Sequence, residues 1–552
     1  MSTHFSPETM IFLSTLLISV FTTIALIPVL SSLAVHLRIL DIPNERKVHS
    51  RPIPRSGGLA MALGALIPIV LWLPFEDSLK AIVLGTGIVV FFGVLDDSKG
   101  LSYLWKFAAQ TAAALVVTCY GGVWIGDLGA LLPGGLHLPA WIGIPLTVIV
   151  IVGATNAINL SDGLDGLAGG MSIMSFICIA YLAYLGADPM VALLSMAMIG
   201  AIFGFLRFNT HPATLFMGDA GSQFLGFWAV SLSLKITQAD HGFSRLLPMM
   251  LLGMPILDTL SVMLGRIASG KSPFKADKNH LHHRFMKLGL SHSETVFLIY
   301  ALQSCMVISA YLMRTSNEWL VLASCMCFGA VVLLGLGEAQ RTGWLVKRHP
   351  VLESLAQRFE NRYVIIGTSF KACETGLALL LVLTVVVPIE VPIYVAAISS
   401  GFVGLIVLTW FMRKRWIGRA LRLGFYLFVP YAVYLSEMDA ATQLGTRLSD
   451  AYNLLFALLV VFIILTLKFT RRSKGFKTTP LDFIVLFAAL IVPNLPGGPV
   501  KSYHMSLIAA KVIVFFFGYE VVMGELREDY RNVALTLVSV LAIVSLRGFL
   551  SF

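Results

Sequence analysis

Between residues 156 and 170 the chain reads Asn-Ala-Ile-Asn-Leu-Ser-Asp-Gly-Leu-Asp-Gly-Leu-Ala-Gly-Gly, a polar island between the apolar runs 141–154 and 171–185. Asn156, Asn159, Asp162 and Asp165 recur every third residue, so a wound backbone would gather their oxygens on roughly one helical face. Gly163, Gly166, Gly169 and Gly170 let the backbone bend and come close to a ligand. Carboxylates at the edge of hydrocarbon are costly, so the island reads as a functional site rather than as a polar turn. Amide and carboxylate oxygens on a loosened turn suit a hard divalent cation and a phosphate.

Four other stretches carry side chains of the same kind. Residues 41–58 hold Arg46, Lys47, His49, Arg51 and Arg55, donors suited to phosphate, on a segment stiffened by Pro43, Pro52 and Pro54. A cluster that only sets topology is the plainer reading of those cations. Asp96 and Asp97 are followed by Lys106, two carboxylates and an ammonium that fit metal or proton chemistry beside a phosphate. Asp219 sits between Gly218 and Gly221 at an expected helix N-terminus, where backbone N–H groups also favour phosphate. Finally, His280, His282, His283 and Arg284 stand together in one short segment. Their spacing is not that of a helical zinc pair, and a cationic, hydrogen-bonding loop over a diphosphate fits better.

The elements that must position these groups are membrane helices. Of 552 residues 57% are hydrophobic and 13% charged, against about 25% charged in ordinary globular chains. Apolar spans are expected at 10–37, 57–74, 79–95, 105–124, 139–156, 167–186, 188–207, 221–237, 245–265, 294–313 and 317–339. A further set follows at 371–390, 392–411, 421–435, 451–469, 481–499, 503–522 and 533–551. The fold class is therefore an all-α polytopic membrane protein. It has about 11 transmembrane helices in a first module (1–340), a linker (341–370) and about 7 helices in a C-terminal module (371–552) of unassigned role. The first span is too long for a signal h-region and is expected to stay as an anchor. The six cysteines fit no common metal spacing and read as membrane-packing residues.

Formal net charge is +10, and its placement orients the chain. Arg38, Arg46, Lys47, Arg51 and Arg55 follow the first span while no Lys or Arg precedes it, which puts the N-terminus outside and that loop in the cytoplasm. Loops 38–56, 96–104, 157–166, 208–220, 266–293 and 340–370 then share the cytoplasmic side. Every chemistry-bearing stretch falls on it.

Together the five stretches resemble the polyprenyl-phosphate N-acetylhexosamine-1-phosphate transferases, in their undecaprenyl-phosphate N-acetylglucosamine branch. The resemblance covers residues 1–340 and rests on the Asp-Asp pair, the Asn-Ala-x-Asn-x-x-Asp-Gly-x-Asp-Gly run, Phe-Met-Gly-Asp and His-x-His-His-Arg. It implies transfer of N-acetylhexosamine 1-phosphate from a UDP-sugar to undecaprenyl phosphate with release of UMP, an opening membrane step of cell-envelope glycan synthesis. It also implies Mg²⁺, with Mn²⁺ as the alternative, at Asp219 and Asn159, and a nucleoside contact near Asp165. The resulting candidate site has Asp96, Asp97, Lys106, Asp162 and Asp165 as catalytic groups. Lys47, Arg55, Asn156, Asn159, His280, His282, His283 and Arg284 would bind substrate. Leu281 interrupts the three consecutive histidines of relatives that use a muramyl-pentapeptide donor, so N-acetylglucosamine is the expected sugar. The implied setting is a bacterial inner membrane with the site facing the cytoplasm. Donor nucleotide, lipid acceptor and membrane are the partners; no nucleic acid is expected, and a homodimer is compatible with the family.

Two other classes compete. A CDP-alcohol phosphotransferase needs Ala-Arg after its Asp-Gly, whereas Gly163 is followed by Leu-Asp-Gly-Leu. An ion-coupled transporter needs a midplane site between inverted halves, and Asp258 would suit it best. Asp258 reads rather as a supporting residue, because the motifs cluster at one face.

Overall fold

Buried in hydrocarbon, a backbone must satisfy its own polar groups, and the described chain does so almost entirely as helices. The computed structural model describes residues 7–42, 52–74, 76–272, 279–345, 363–387, 391–412, 414–443, 445–469, 505–525 and 530–550. These residues divide into two units, with the boundary after Lys347.

The first unit contains α1 (Pro7–His36), α2 (Gly57–Trp72), α3 (Asp77–Lys99), α4 (Tyr103–Leu115, prolonged by a π-helical turn to Tyr120) and α5 (Ala140–Ser161). These are followed by α6 (Leu167–Leu185), α7 (Pro189–Asn209), α8 (Gly218–Gln238), α9 (Leu247–Leu251) and α10 (Gly253–Ala268). The unit closes with α11 (Leu281–Lys287), α12 (His292–Leu312) and α13 (Glu318–Arg341). Its core is built around α8, buried on all sides from Ala220 to Leu234 and packed by α2, α3, α5 and α6. Complete enclosure explains how α8 tolerates Ser222, Gln223, Ser231 and Ser233: lipid never meets them. Some of the buried polar atoms meet each other, as when Trp228 Nε1 donates to Thr86 Oγ1 at 2.6 Å.

Between α1 and α2 a two-residue ribbon pairs β1 (Leu40–Asp41) with β2 (Ile53–Pro54), antiparallel, Asp41 opposite Ile53. Successive long helices reverse direction, so the end of α3, the start of α4, the end of α5 and the start of α8 lie at one end of the bundle.

Several expected boundaries move. The third span continues through Asp96 and Asp97 to Lys99 instead of stopping at 95, because both carboxylates find partners on other helices. The fifth continues to Ser161 instead of 156. The ninth breaks at Leu252 into α9 and α10, and α11 is a helix that no apolar run announced. The six cysteines are unpaired.

The second unit comprises α14 (Tyr363–Val386), α15 (Ile393–Met412), α16 (Lys414–Gln443), α17 (Gly445–Phe469), α18 (Met505–Glu525) and α19 (Arg531–Leu550). It has its own core, in which the Phe425 and Tyr519 rings stack at 3.9 Å. Two ion pairs join α16 to α18: Glu437 with Lys511 at 2.5 Å, and Arg422 with Glu520 at 3.1 Å. The expected span 481–499 lies outside the described residues. Among the described residues of both units, nine helices are long and apolar enough to cross a membrane. The chain is an all-α, multi-pass membrane protein.

Candidate active site

Asp96 and Asp97 occupy the last turn of α3, which ends at Gly100 with φ +67°. Asp96 Oδ1 accepts the Leu101 N–H at 2.6 Å, and its Oδ2 lies 2.5 Å from the Lys106 ammonium on the first turn of α4. The same ammonium lies 2.7 Å from Asp219 Oδ2, so one cation bridges carboxylates from two helices.

Asp97 points the other way. Its two oxygens accept the N–H groups of Asp219 at 3.0 Å and Ala220 at 3.2 Å, the unpaired donors of the first turn of α8. It therefore caps α8 from α3, where a negative charge also meets the positive end of the helix dipole. Gly218 makes this approach feasible: its φ is +68°, and a Cβ there would collide with the Asp97 carboxylate.

The ribbon brings in the first cationic segment. Phe216 N–H donates to Pro54 O, and the N–H groups of Gly57 and Gly58 donate to Phe216 O and Met217 O, at 2.9–3.0 Å. The loop before α8 is thereby laid beside β2. Arg55, next in the chain, pairs with Asp41 and lies 3.7 Å from Asp97 Oδ1. Lys47 lies outside the described residues.

The polar island does not stay wound. α5 ends at Ser161 and α6 begins at Leu167, so only Asn156 and Asn159 share a helix and the expected single face is not formed. Asn159 Oδ1 accepts from Ser222 Oγ at 2.7 Å, one turn beyond Asp219 on α8. Asp162 follows the end of α5, where burial above all, then the charges of Asp219, Asp97 and Asp165, push its carboxyl up to about 7.

Two candidates stand apart from this cluster. Asn156 donates to Gln110 Oε1 at 2.6 Å and to Val152 O, and Gln110 donates on to Gln223 at 3.0 Å. Its amide belongs to a ladder of side chains between helices. Asp165 accepts from Ala213 N–H at 3.1 Å and pairs with His211 Nδ1 at 2.7 Å, while His211 stacks on His292 at 4.1 Å between ring centroids. Ligand atoms of Asp165, His211 and His292 lie within 4.8 Å of one another.

The histidine loop is held by Asp258 of α10, which pairs with His280 Nδ1 at 2.9 Å and accepts the Leu281 N–H at 2.6 Å. Its role is thus to support the loop. His282 packs against Gly163, where a Cβ would strike its ring, and joins the loop to the polar island. His283 lies against His282, ring centroids 4.2 Å apart. Arg284 turns away and donates to Gln340 of α13.

Sequence reasoning missed Asp41, Gln110, Ser222, Gln223, His211 and His292 as parts of this region. Asp41 lies within the stretch 41–58 and His211 within the loop 208–220, while Ser222 directly follows Gly221. Gln110, Gln223 and His292 carry no local signal. The donors that gather around Asp219, namely Asp96, Asp162 and the Asn159 amide, are all oxygens, the set that a small hard cation takes. Mg²⁺ fits them.

Buried carboxylates and a bridging ammonium at one end of a membrane bundle define a class, enzymes acting on charged groups at a membrane surface. Comparison with known proteins narrows it. The model of the family described as Glycosyl transferase family 4 matches residues 79–237. A probable undecaprenyl-phosphate N-acetylglucosaminyl 1-phosphate transferase of Bacillus subtilis (strain 168) is 38% identical over 309 residues, 55% of this chain and 86% of that protein. A decaprenyl-phosphate N-acetylglucosaminephosphotransferase of Mycolicibacterium smegmatis is 35% identical over 49% of this chain and 73% of its own length. An undecaprenyl-phosphate alpha-N-acetylglucosaminyl 1-phosphate transferase of Salmonella typhi is 30% identical, over 51% and 78% respectively. The chain belongs to this family of polyprenyl-phosphate N-acetylglucosamine-1-phosphate transferases. Neither the transporter nor the CDP-alcohol reading finds support.

Proposed function

We propose that this enzyme transfers N-acetylglucosamine 1-phosphate from UDP-N-acetylglucosamine to undecaprenyl phosphate and releases UMP, at the cytoplasmic face of a bacterial inner membrane. The observation that carries the reading is the Lys106 ammonium held between Asp96 and Asp219 where four helices end. The cationic loops at that same end support the cytoplasmic orientation.

In the reaction an oxygen of the lipid phosphate forms a bond to the donor's β-phosphorus. The bond from that phosphorus to the bridging oxygen breaks, and UMP leaves. The acceptor's second pKa is about 6, so near neutral pH it needs little proton removal. The larger barrier is to bring two anions into line, which fixed cations lower. Lys106 supplies one such charge and Arg55 another, each held by carboxylates that cannot swing away. Both Asp97 oxygens are engaged by the α8 N–H groups, and those of Asp96 by Leu101 and Lys106, which fits positioning and not attack on phosphorus. Direct transfer follows, with no aspartyl-phosphate. Bound Mg²⁺, with Asp219 and Asn159 among its ligands, would neutralise the diphosphate and the leaving group.

The test uses purified protein, undecaprenyl phosphate and a panel of UDP-sugars. Asp219→Asn should lose at least about a hundredfold in rate while its melting temperature stays near wild type. Excess chelator should silence the wild type, and UMP should form only when acceptor is present. Near-normal turnover of the variant, activity in chelator, preference for the muramyl-pentapeptide nucleotide, or a burst of UMP from donor alone would each overturn the corresponding part of the reading.

A further inference from the structure

Past Asp162 the polar island turns to two histidines. Asp165 lies between α5 and α6, His211 in the loop that leads to α8, and His292 is the first residue of α12. Ligand atoms of the three lie within 4.8 Å of one another. Asp165 Oδ2 already pairs with His211 Nδ1 at 2.7 Å, and the His211 ring stacks on His292 at 4.1 Å between centroids. Both ring nitrogens of His292 are shielded from solvent and have no hydrogen-bond partner among the described residues. Buried polar atoms so placed call for an occupant, a water or an ion.

The backbone around the trio is fixed. Gly166 N–H donates to Asn209 Oδ1 at 2.9 Å, and Gly166 O accepts from Tyr300 Oη at 2.6 Å. Asn209 stands two residues before His211, Tyr300 about two turns beyond His292, and both are buried. The three segments that carry the ligands are therefore tied together without help from the ligands themselves. On such a frame, side-chain rotation is enough to close a site. Zinc bonds of about 2.0–2.1 Å set tetrahedral donors about 3.3 Å apart, so the widest pair has at most about 1.5 Å to close.

The donor atoms select the ion. Imidazole nitrogen suits Zn²⁺ and its transition-metal neighbours, whereas Mg²⁺ takes oxygen. Two histidines and one carboxylate leave a fourth position for water, the pattern of an open zinc site. We propose that Asp165, His211 and His292 bind Zn²⁺, at a site distinct from the oxygen ligands around Asp219. The ion would join the α5–α6 turn, the loop before α8 and the start of α12, and binding there can be measured without turnover.

The experiment uses the full-length, tag-free chain in detergent. Zn²⁺ is titrated against a chromogenic zinc chelator, and Co²⁺ binding is followed by its visible spectrum. One Zn²⁺ per chain should bind with a Kd of about 1 μM or below, and Mg²⁺ in about thousandfold excess should not displace it. Bound Co²⁺ should show the intense bands of a four-coordinate ion, a readout on the wild type that needs no variant. His211→Gln and His292→Gln should each weaken zinc binding by about a hundredfold, while Asp219→Asn and His283→Gln bind as the wild type does. Zn²⁺ should also raise the melting temperature of the wild type and of neither His211→Gln nor His292→Gln. Several results would overturn the proposal and leave Asp165 and His211 as an ion pair alone. These are no zinc on the wild type, a six-coordinate cobalt spectrum, displacement by Mg²⁺, undiminished binding in His211→Gln and His292→Gln, or an equal loss in Asp219→Asn or His283→Gln.

Discussion

Lys106 sets what its carboxylate neighbours can do. Without it, Asp96 and Asp219 would face each other as like charges; with it, both stay in place and one positive centre is held where phosphates must meet. His282 shows the opposite economy, a titratable ring kept neutral. Burial above all, then the neighbouring His283, pushes its pKa down to about 4 from an ordinary 6.5. Below pH 6.5 the unfolded chain therefore binds a proton that the folded one refuses. Stability is full above that pH, declines as pH falls, and levels off below about 4, with at most about 3 kcal/mol at stake. The melting temperature of wild type should accordingly drop more steeply from pH 6.5 to 4 than that of His282→Asn. Parallel curves for the two proteins would remove His282 from this account.

At the scale of elements, the site depends on helices capped by residues of other helices. Asp97 of α3 caps α8, and Asp258 of α10 caps α11. The seven-residue α11 is too short to be stable by itself, so its place over Gly163 depends on that carboxylate together with the burial of Leu281 and Phe285 and the Arg284–Gln340 bond. Asp258→Ala leaves the Leu281 N–H and His280 without their partner, at a cost of about 1–3 kcal/mol. We expect proteolysis within 281–287 to accelerate, melting to fall by a few degrees and turnover to drop, with Asp258→Asn recovering part of each because it keeps an acceptor oxygen. Unchanged proteolysis in the Ala variant would show that α11 is held by other contacts. Apolar run length located the long helices of the first unit to within about five residues, but in the second unit it fell short of α16, expected at 421–435 and found at Lys414–Gln443. It had no means of seeing α11, the break at Leu252 or the extension of α3, because each depends on partners distant in sequence.

For the whole molecule, every described residue of the carboxylate cluster belongs to the first unit, as does the family match over 79–237. The second unit has its own core and its own buried ion pair, Glu437 with Lys511. Ending the chain after Lys347 should leave transferase activity within about threefold of the full-length rate, assayed on protein shown by its melting curve to be folded; a two-unit chain whose units each bury a core tolerates such a cut. A folded but inactive fragment would show that the second unit contributes to the reaction or to acceptor binding.

Membrane residence, the oxygen-rich motifs and their placement at one end of the bundle were determined by the sequence alone. Hydrophobic length, charge asymmetry and residue chemistry are local properties. The same holds for the family, which rides on motif order. Which motif residues meet is a different matter. Asn156 and Asn159 are three apart on one helix, yet Gln110 draws the first into an amide ladder while Ser222 sets the second beside Asp219. Asp165 is likewise turned to His211 and Ala213, and Arg284 to Gln340 of α13. These assignments rest on hydrogen bonds and ion pairs between residues 46 to 63 positions apart, partners that only the packing of distant helices and loops brings together.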